Sequence, residues 1–264
     1  MKYKKELKLS WTIIKEIVFP IIIILLPLFW NNCQKSIIEI FETFVGNEWK
    51  VTSNIVIFIS LSIYLFIFII NRKCNREFLK GDVYGSKHII FYYIAIVLGY
   101  KKISLIRKPY NIIFKILKKG IFEIIPDNIE DDDEVEAYVD YSNFIDSNNL
   151  RECNLIIEDT YEISKEQIPE DKRNIDTIRV YRDKSNKVNN RVFSSKLLTK
   201  IGEALDKAQS SGAIINLYLT TNTKTTKEMI ENVLMKGDRS LYKIRLFLQS
   251  DSGKREFIDK GIKV

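Results

Sequence analysis

Histidine, cysteine, glycine and proline are all scarce in this chain of 264 residues, which has one histidine, three cysteines, ten glycines and five prolines. With His88 as the sole imidazole, paired-histidine and Cys/His zinc sites are excluded, and a Ser–His–Asp triad is disfavoured. Cys33, Cys74 and Cys153 match no metal-ligand spacing, and their odd number argues against a disulfide framework, so a reducing cytoplasm is the expected compartment. The Walker A loop, G-x-G-x-x-G, G-x-S-x-G and H-E-x-x-H are missing as well. No catalytic set, metal site or cofactor is expected from such a sequence. Charge of one sign is also lacking: 41 basic residues stand against 34 acidic ones, a net +7. That excess is far below the footprint of a DNA or RNA duplex binder, and it suits an anionic membrane surface or a small anionic ligand.

Long apolar runs are present, and they cluster near the N-terminus. Trp11–Trp30 (WTIIKEIVFPIIIILLPLFW) and Val51–Ile70 (VTSNIVIFISLSIYLFIFII) each have about the 20 residues that cover a bilayer core. A secretory signal peptide is the rival for the first run, but no small-residue cleavage site follows Trp30. Lys2, Lys4, Lys5 and Lys8 precede the first run, and Arg72, Lys73 and Arg76 follow the second. The positive-inside rule then places both termini in the cytoplasm of a multi-pass inner-membrane protein. Residues 1–76 are therefore expected to form a membrane α-helical hairpin, with helices at about 11–30 and 51–70.

Residues 77–136 read as a juxtamembrane connection. Ile89–Gly99 (IIFYYIAIVLG) is too short to span and fits a buried helix, a strand or an interfacial segment. KKISLIRKPYNIIFKILKKG, residues 101–120, alternates bases with large apolar residues. It suits either anionic headgroups or ordinary core elements with a solvated face. The acidic cluster of Asp127, Glu130, Asp131, Asp132, Asp133, Glu134 and Glu136 reads as a solvated loop that closes this region.

Residues 137–264 are the orderly part. CNLIIEDTYEI from Cys153, IDTIRVYR (175–182), the run Ile214–Leu219 and YKIRLFLQ (242–249) read as strands. Phe193–Gln209 carries Leu197, Leu198, Ile201, Leu205 and Ala208 at helical spacing, with Ser194 or Ser195 as cap and Gly212 beyond its end. KTTKEMIENVLMKG is a second helix, capped by Thr225 or Thr226 and ended by Gly237. Strands alternating with helices at this spacing specify a cytosolic α/β domain with a Rossmann-like, mainly parallel sheet.

Open α/β sheets bind ligands at the carboxyl ends of their strands. Two such ends are rich in polar groups: Glu158, Asp159, Thr160 and Tyr161, and the run Thr220, Thr221, Asn222, Thr223, Lys224, Thr225 and Thr226. Hydroxyls, an amide, a lysine and free N–H groups at a helix start are the parts of a phosphate site. Capping and turn formation use the same residues. Arg239 is a further anion-binding candidate, with a structural role at a helix end as its alternative.

A two-helix hairpin joined to such a domain resembles the two-transmembrane effectors of bacterial anti-phage cyclic-nucleotide signalling. The stretch LLTKIGEALDKAQSSGAIINLYLTTNT, residues 197–223, resembles the helix–strand–ligand-loop arrangement of SAVED and CARF-type sensor domains. The resemblance covers about 110 residues and is architectural. It implies a cyclic or other nucleotide held by Asp159, Thr160, Thr220–Thr225 and Arg239, a homo-oligomer, and a signal passed to helices in the lipid bilayer. The expected function is that of a receptor-effector that disrupts the inner membrane. A membrane-tethered nucleotide- or NAD-processing enzyme and a scaffold for a protein partner are the alternatives.

Overall fold

The computed structural model describes residues 2–29, 50–74, 76–80, 83–145, 151–183, 191–235, 243–250 and 255–264. They fall into two compact units, Met1–Arg107 with Ile121–Ile125, and Lys108–Gly120 with Pro126–Val264.

The first unit opens with helix α1 (Lys2–Ile13), a π-helical turn (Ile14–Val18) and α2 (Phe19–Phe29). Helix α3 (Lys50–Lys73) packs on α2. Strand β1 (Glu77–Phe78), helix α4 (Ile90–Val97), strand β2 (Lys102–Ser104) and strand β3 (Glu123–Ile125) complete the unit. The three strands pair in the order β1-β2-β3, all parallel. Aromatic packing fills the space beside them: Phe78 meets Tyr92 edge-on at 5.6 Å and stacks on Phe122 at 6.4 Å. Such pairs add to simple area burial. The segment Ile89–Gly99 thus resolves as a short helix with Tyr92 and Ala95 buried.

The expected membrane hairpin is corrected by the structure: among the described residues, no helix is long and apolar enough to cross a membrane. In the first run, Lys15 and Glu16 lie in the π-helical turn, leaving in α2 an apolar helix of 11 residues. In α3 the apolar run ends at Ile70, before Asn71, Arg72 and Lys73. The linker 31–49 lies outside the described residues.

The second unit begins with α5 (Tyr110–Lys119), which buries Ile112, Ile113, Phe114, Ile116 and Leu117 and closes on the left-handed Gly120. Its lysines at 115, 118 and 119 are exposed, so this part of the basic stretch is an ordinary amphipathic core helix. Strands β4 (Ala137–Asn143), β5 (Glu152–Glu158), β6 (Thr177–Arg182), β7 (Ile214–Leu219), β8 (Ile244–Phe247) and β9 (Ile262–Lys263) form one sheet in the order β4-β6-β5-β7-β8-β9. The central pairings β6–β5, β5–β7 and β7–β8 are parallel, while β4 and β9 add antiparallel edges. The sheet is therefore mixed rather than Rossmann-like throughout. Its edge strands escaped the sequence pattern because edge positions are half exposed and carry no continuous apolar run.

Helix α6 (Ser195–Ser210) is capped by Ser194, whose hydroxyl accepts from Leu197 N at 3.3 Å, and it buries Leu197, Ile201, Ala204, Leu205 and Ala208. It packs on β4, β5, β6 and β7. Between β5 and β6 runs an irregular connection with two short 3₁₀ turns, Lys165–Gln167 and Glu170–Lys172. On one face of the sheet Ile156, Tyr218 and Phe247 meet Ile163, Ile168 and Phe257 in a buried cluster.

Two outcomes test this packing. Gly99 has φ +93°, and an added Cβ would sit 2.8 Å from the Cα and O of Ile70. Gly99→Ala should therefore lower stability by about 2 kcal/mol or more, read by thermal unfolding. Burial pushes the Cys153 thiol up to about 12, so this cysteine should resist alkylation at pH 8 in the folded protein and react once denaturant is added.

Candidate functional site

Strands β5, β6 and β7 run parallel, so their carboxyl ends open on the same edge of the second unit. β5 ends in Glu158 and continues into Asp159, Thr160 and Tyr161. β7 ends at Leu219 and continues through Thr220 and Thr221 to Asn222, which caps helix α7 (Thr223–Glu228). The helix starts one residue ahead of the expected Lys224, and the expected Thr225 and Thr226 caps lie inside the first turn. Asn222 Oδ1 accepts from Thr225 N at 2.8 Å, because a short amide side chain in extended backbone reaches the third N–H of the helix. A π-helical turn, Met229–Leu234, prolongs the helix. Gly237, expected to end it, and Arg239 lie outside the described residues.

Asp159 is the centre of this edge. Its side chain is fully buried, and its carboxylate accepts from Asn222 N at 3.0 Å and from Asn222 Nδ2 at 2.8 Å. Arg182, at the end of β6, supplies the countercharge with Nε 3.1 Å from Asp159 Oδ1 and donates to the Asp159 carbonyl at 2.6 Å. Thr160 N donates to Thr220 O at 2.8 Å, and Thr220 Oγ1 donates to Tyr161 O at 2.7 Å. The Thr221 and Thr226 hydroxyls lie 2.8 Å apart, and Tyr110 of α5 donates to Thr221 O at 2.7 Å. The expected ligand loop is thus brought together with Asp159 and Thr160, but most of its polar atoms are committed to one another. Thr220, Thr221, Asn222, Thr225 and Thr226 are all buried.

Thr223 and Lys224 face the acidic cluster, which is more than a solvated loop. The Thr223 hydroxyl donates to Asp127, and Lys224 pairs with Asp131, bonds Ile129 O at 3.2 Å and lies over the Phe193 ring at 5.0 Å. Asp133 accepts from Ser195 Oγ at 2.6 Å at the start of α6, and Glu136 pairs with Lys196. Carboxylates beside the first turns of α6 and α7 oppose the positive ends of those helices.

Open space lies on the neighbouring part of the edge. A cavity of about 590 Å³ is lined by Asp140, Glu158, Glu162, Ile163, Ser164, Arg179, Tyr181, Arg182 and Asp183, four carboxylates beside two arginines. In β6, buried Ile178 and Val180 alternate with half-buried Arg179 and Tyr181, which places the latter pair on one face. Arg179 pairs with the buried Glu158 and donates to Ile163 O at 3.0 Å, and Glu158 also accepts from Ile163 N at 2.6 Å. Tyr181 lies against Tyr138 of β4, rings 5.8 Å apart, with Tyr138 46% exposed. Sequence reasoning missed Arg179, Tyr181 and Arg182. The signal was available in IRVYR, where arginine and tyrosine alternate with apolar residues at a strand's carboxyl end. Among the described residues, no group of three or more His, Cys, Asp or Glu is placed to hold a metal.

A family model described as the SMODS- and Ubiquitin system-associated 2TM effector domain matches residues 2–264. No curated protein matches the chain.

The commitments around Asp159 give a direct test by chemical denaturation. Asp159→Ala, which strands the Arg182 guanidinium, should cost about 3–5 kcal/mol. Asn222→Ala, which removes a helix cap, should cost about 1–2 kcal/mol. Lys224→Ala, at a surface pair, should change stability by less than about 1 kcal/mol. Equal, negligible effects of all three would show that the knot does not hold this edge together.

Proposed function

Because the chain belongs to the SMODS- and Ubiquitin system-associated 2TM effector family, we propose that a nucleotide second messenger, bound by the second unit, switches it on. Its role in SMODS-associated signalling is that of an effector. The family name assigns that role to a membrane, although among the described residues no helix is long and apolar enough to cross one.

The observation that carries the nucleotide reading is the cavity at the carboxyl ends of β5 and β6, with a half-buried arginine and a tyrosine on one face. A guanidinium pairs with phosphate, and a phenol ring offers a face to a base. The Tyr138–Tyr181 pair extends that aromatic surface. Asp159 holds Arg182 of this wall, and Thr160 and the segment Thr220–Thr225 are tied to it through Thr220 and Asn222. Ligand binding changes how copies of the chain associate, and the assembly disrupts the inner membrane during anti-phage defence.

The test is calorimetric titration of the full chain with cyclic dinucleotides and cyclic trinucleotides, followed by dye release from vesicles carrying the protein. One of these ligands should bind saturably and trigger release. Tyr181→Ala should weaken that binding about five- to a hundredfold, the worth of one base–aromatic stack. An absence of binding by every nucleotide tried rejects the reading, and release of nicotinamide from NAD would replace it with catalysis.

A further inference from the structure

The first unit has a cavity of its own, about 660 Å³, in the size range of small-molecule sites. Trp11, Lys15, Arg76, Lys80, Lys102 and Tyr100 are in its wall. Two carboxylates also line it, Glu16 and Glu77. Glu16 is already satisfied: Lys73 Nζ lies 3.2 Å from its Oε2, and the Tyr100 hydroxyl donates to the same oxygen. Lys73 is buried there, donating to Tyr100 Oη at 2.7 Å and to the Glu16 carbonyl at 2.9 Å. Lys102 lies 3.7 Å from the exposed Glu123. Lys15, Arg76 and Lys80 are exposed, and among the described residues none of them pairs with a carboxylate. Cations held around a concave space without partners create a positive potential focused into it.

An exposed apolar stripe starts at Trp11 in the wall of this space and leads away from it. Trp11, Ile14, Val18, Ile22 and Leu25 recur at helical spacing from α1 through the π-helical turn into α2. All five are at least 39% exposed, Trp11 reaching 67%. A free phosphate or sugar phosphate has nothing to place on such a stripe. A phosphodiester carrying acyl chains has both parts: an anion for the cations and hydrocarbon for the stripe. Exposed tryptophan and lysine at the boundary between them match the headgroup level of a bilayer.

We propose that this cavity binds the phosphate of an anionic phospholipid, with its acyl chains laid along the Trp11–Leu25 stripe. The site belongs to the first unit alone and stands whether or not the second unit binds a nucleotide. Recognition is by charge: Arg76 and Lys80 reach the phosphate, Lys15 and Lys102 set the potential, and the Glu16–Lys73–Tyr100 cluster fixes the floor.

The experiment uses the full chain in non-ionic detergent with Trp30→Phe and Trp49→Phe, so that Trp11 is the only reporter. Its fluorescence is titrated with dihexanoyl phosphatidylglycerol, dihexanoyl phosphatidylcholine and glycerol 3-phosphate. Phosphatidylglycerol should give a saturable response at least about tenfold tighter than either other probe. Arg76→Glu with Lys80→Glu should abolish the preference, and Arg76→Gln with Lys80→Gln should weaken phosphatidylglycerol about tenfold or more. Lys118→Glu, an equal kind of charge change on α5, should leave it intact. Equal responses to the two lipids, or indifference to both Arg76/Lys80 pairs, would overturn the site. Binding of glycerol 3-phosphate as tight as that of phosphatidylglycerol would overturn its assignment to a lipid.

Discussion

Where β5, β6 and β7 end, the second unit buries a carboxylate out of reach of water, and the surrounding loops are arranged to satisfy it. An ion in such a place costs several kcal/mol unless charge and hydrogen bonds compensate it. Asp159 receives both: the Arg182 guanidinium at 3.1 Å and two N–H donors from Asn222. The three residues come from the ends of three neighbouring strands, so the compensation exists only in one register of the sheet. Asn222 at the same time starts α7 by accepting from Thr225 N. One carboxylate thereby fixes the end of β6, the turn after β7 and the first turn of a helix.

That constraint shapes the cavity beside it. Glu158 precedes Asp159, and successive residues of a strand point to opposite faces. Holding Asp159 inward therefore turns Glu158 toward Arg179 and the Ile163 amide. The two arginines of β6 divide their work accordingly. Arg182, 9% exposed at its side chain, is used by Asp159, whereas Arg179, 30% exposed, lines the open space with Tyr181.

The first unit handles charge on the same principle. Lys73, at the end of an apolar helix, is buried only because Glu16 and Tyr100 meet it. Glu16 can do so from within a π-helical turn, a local widening that re-aims side chains and recurs at functional positions. Among the described residues, Lys15, Arg76 and Lys80 beside this cluster pair with no carboxylate, whereas Lys102 lies 3.7 Å from Glu123.

Periodicity in the sequence determined the central elements of the second unit. The apolar run Ile214–Leu219 coincides with β7, and the spacing Leu197–Ala208 with the buried stripe of α6. Local chemistry also placed the Ser194 cap and the polar strand ends, since these depend on residues only a few positions away. The edge strands and the three-stranded sheet of the first unit were not legible, because short, half-exposed strands carry too few apolar residues to show a period. The membrane hairpin expected from hydropathy is corrected among the described residues, where Lys15 and Glu16 interrupt the first apolar run. The choice between capping and ligand contact for Thr220–Thr226 was open in the sequence. Only tertiary structure decided that these side chains bond mainly to backbone carbonyls and to the acidic segment, as Thr220 does to Tyr161 O and Thr226 to Asn222 O. Which polar atoms are consumed depends on partners up to 111 residues away, as from Tyr110 to Thr221, and no local pattern encodes such a distance.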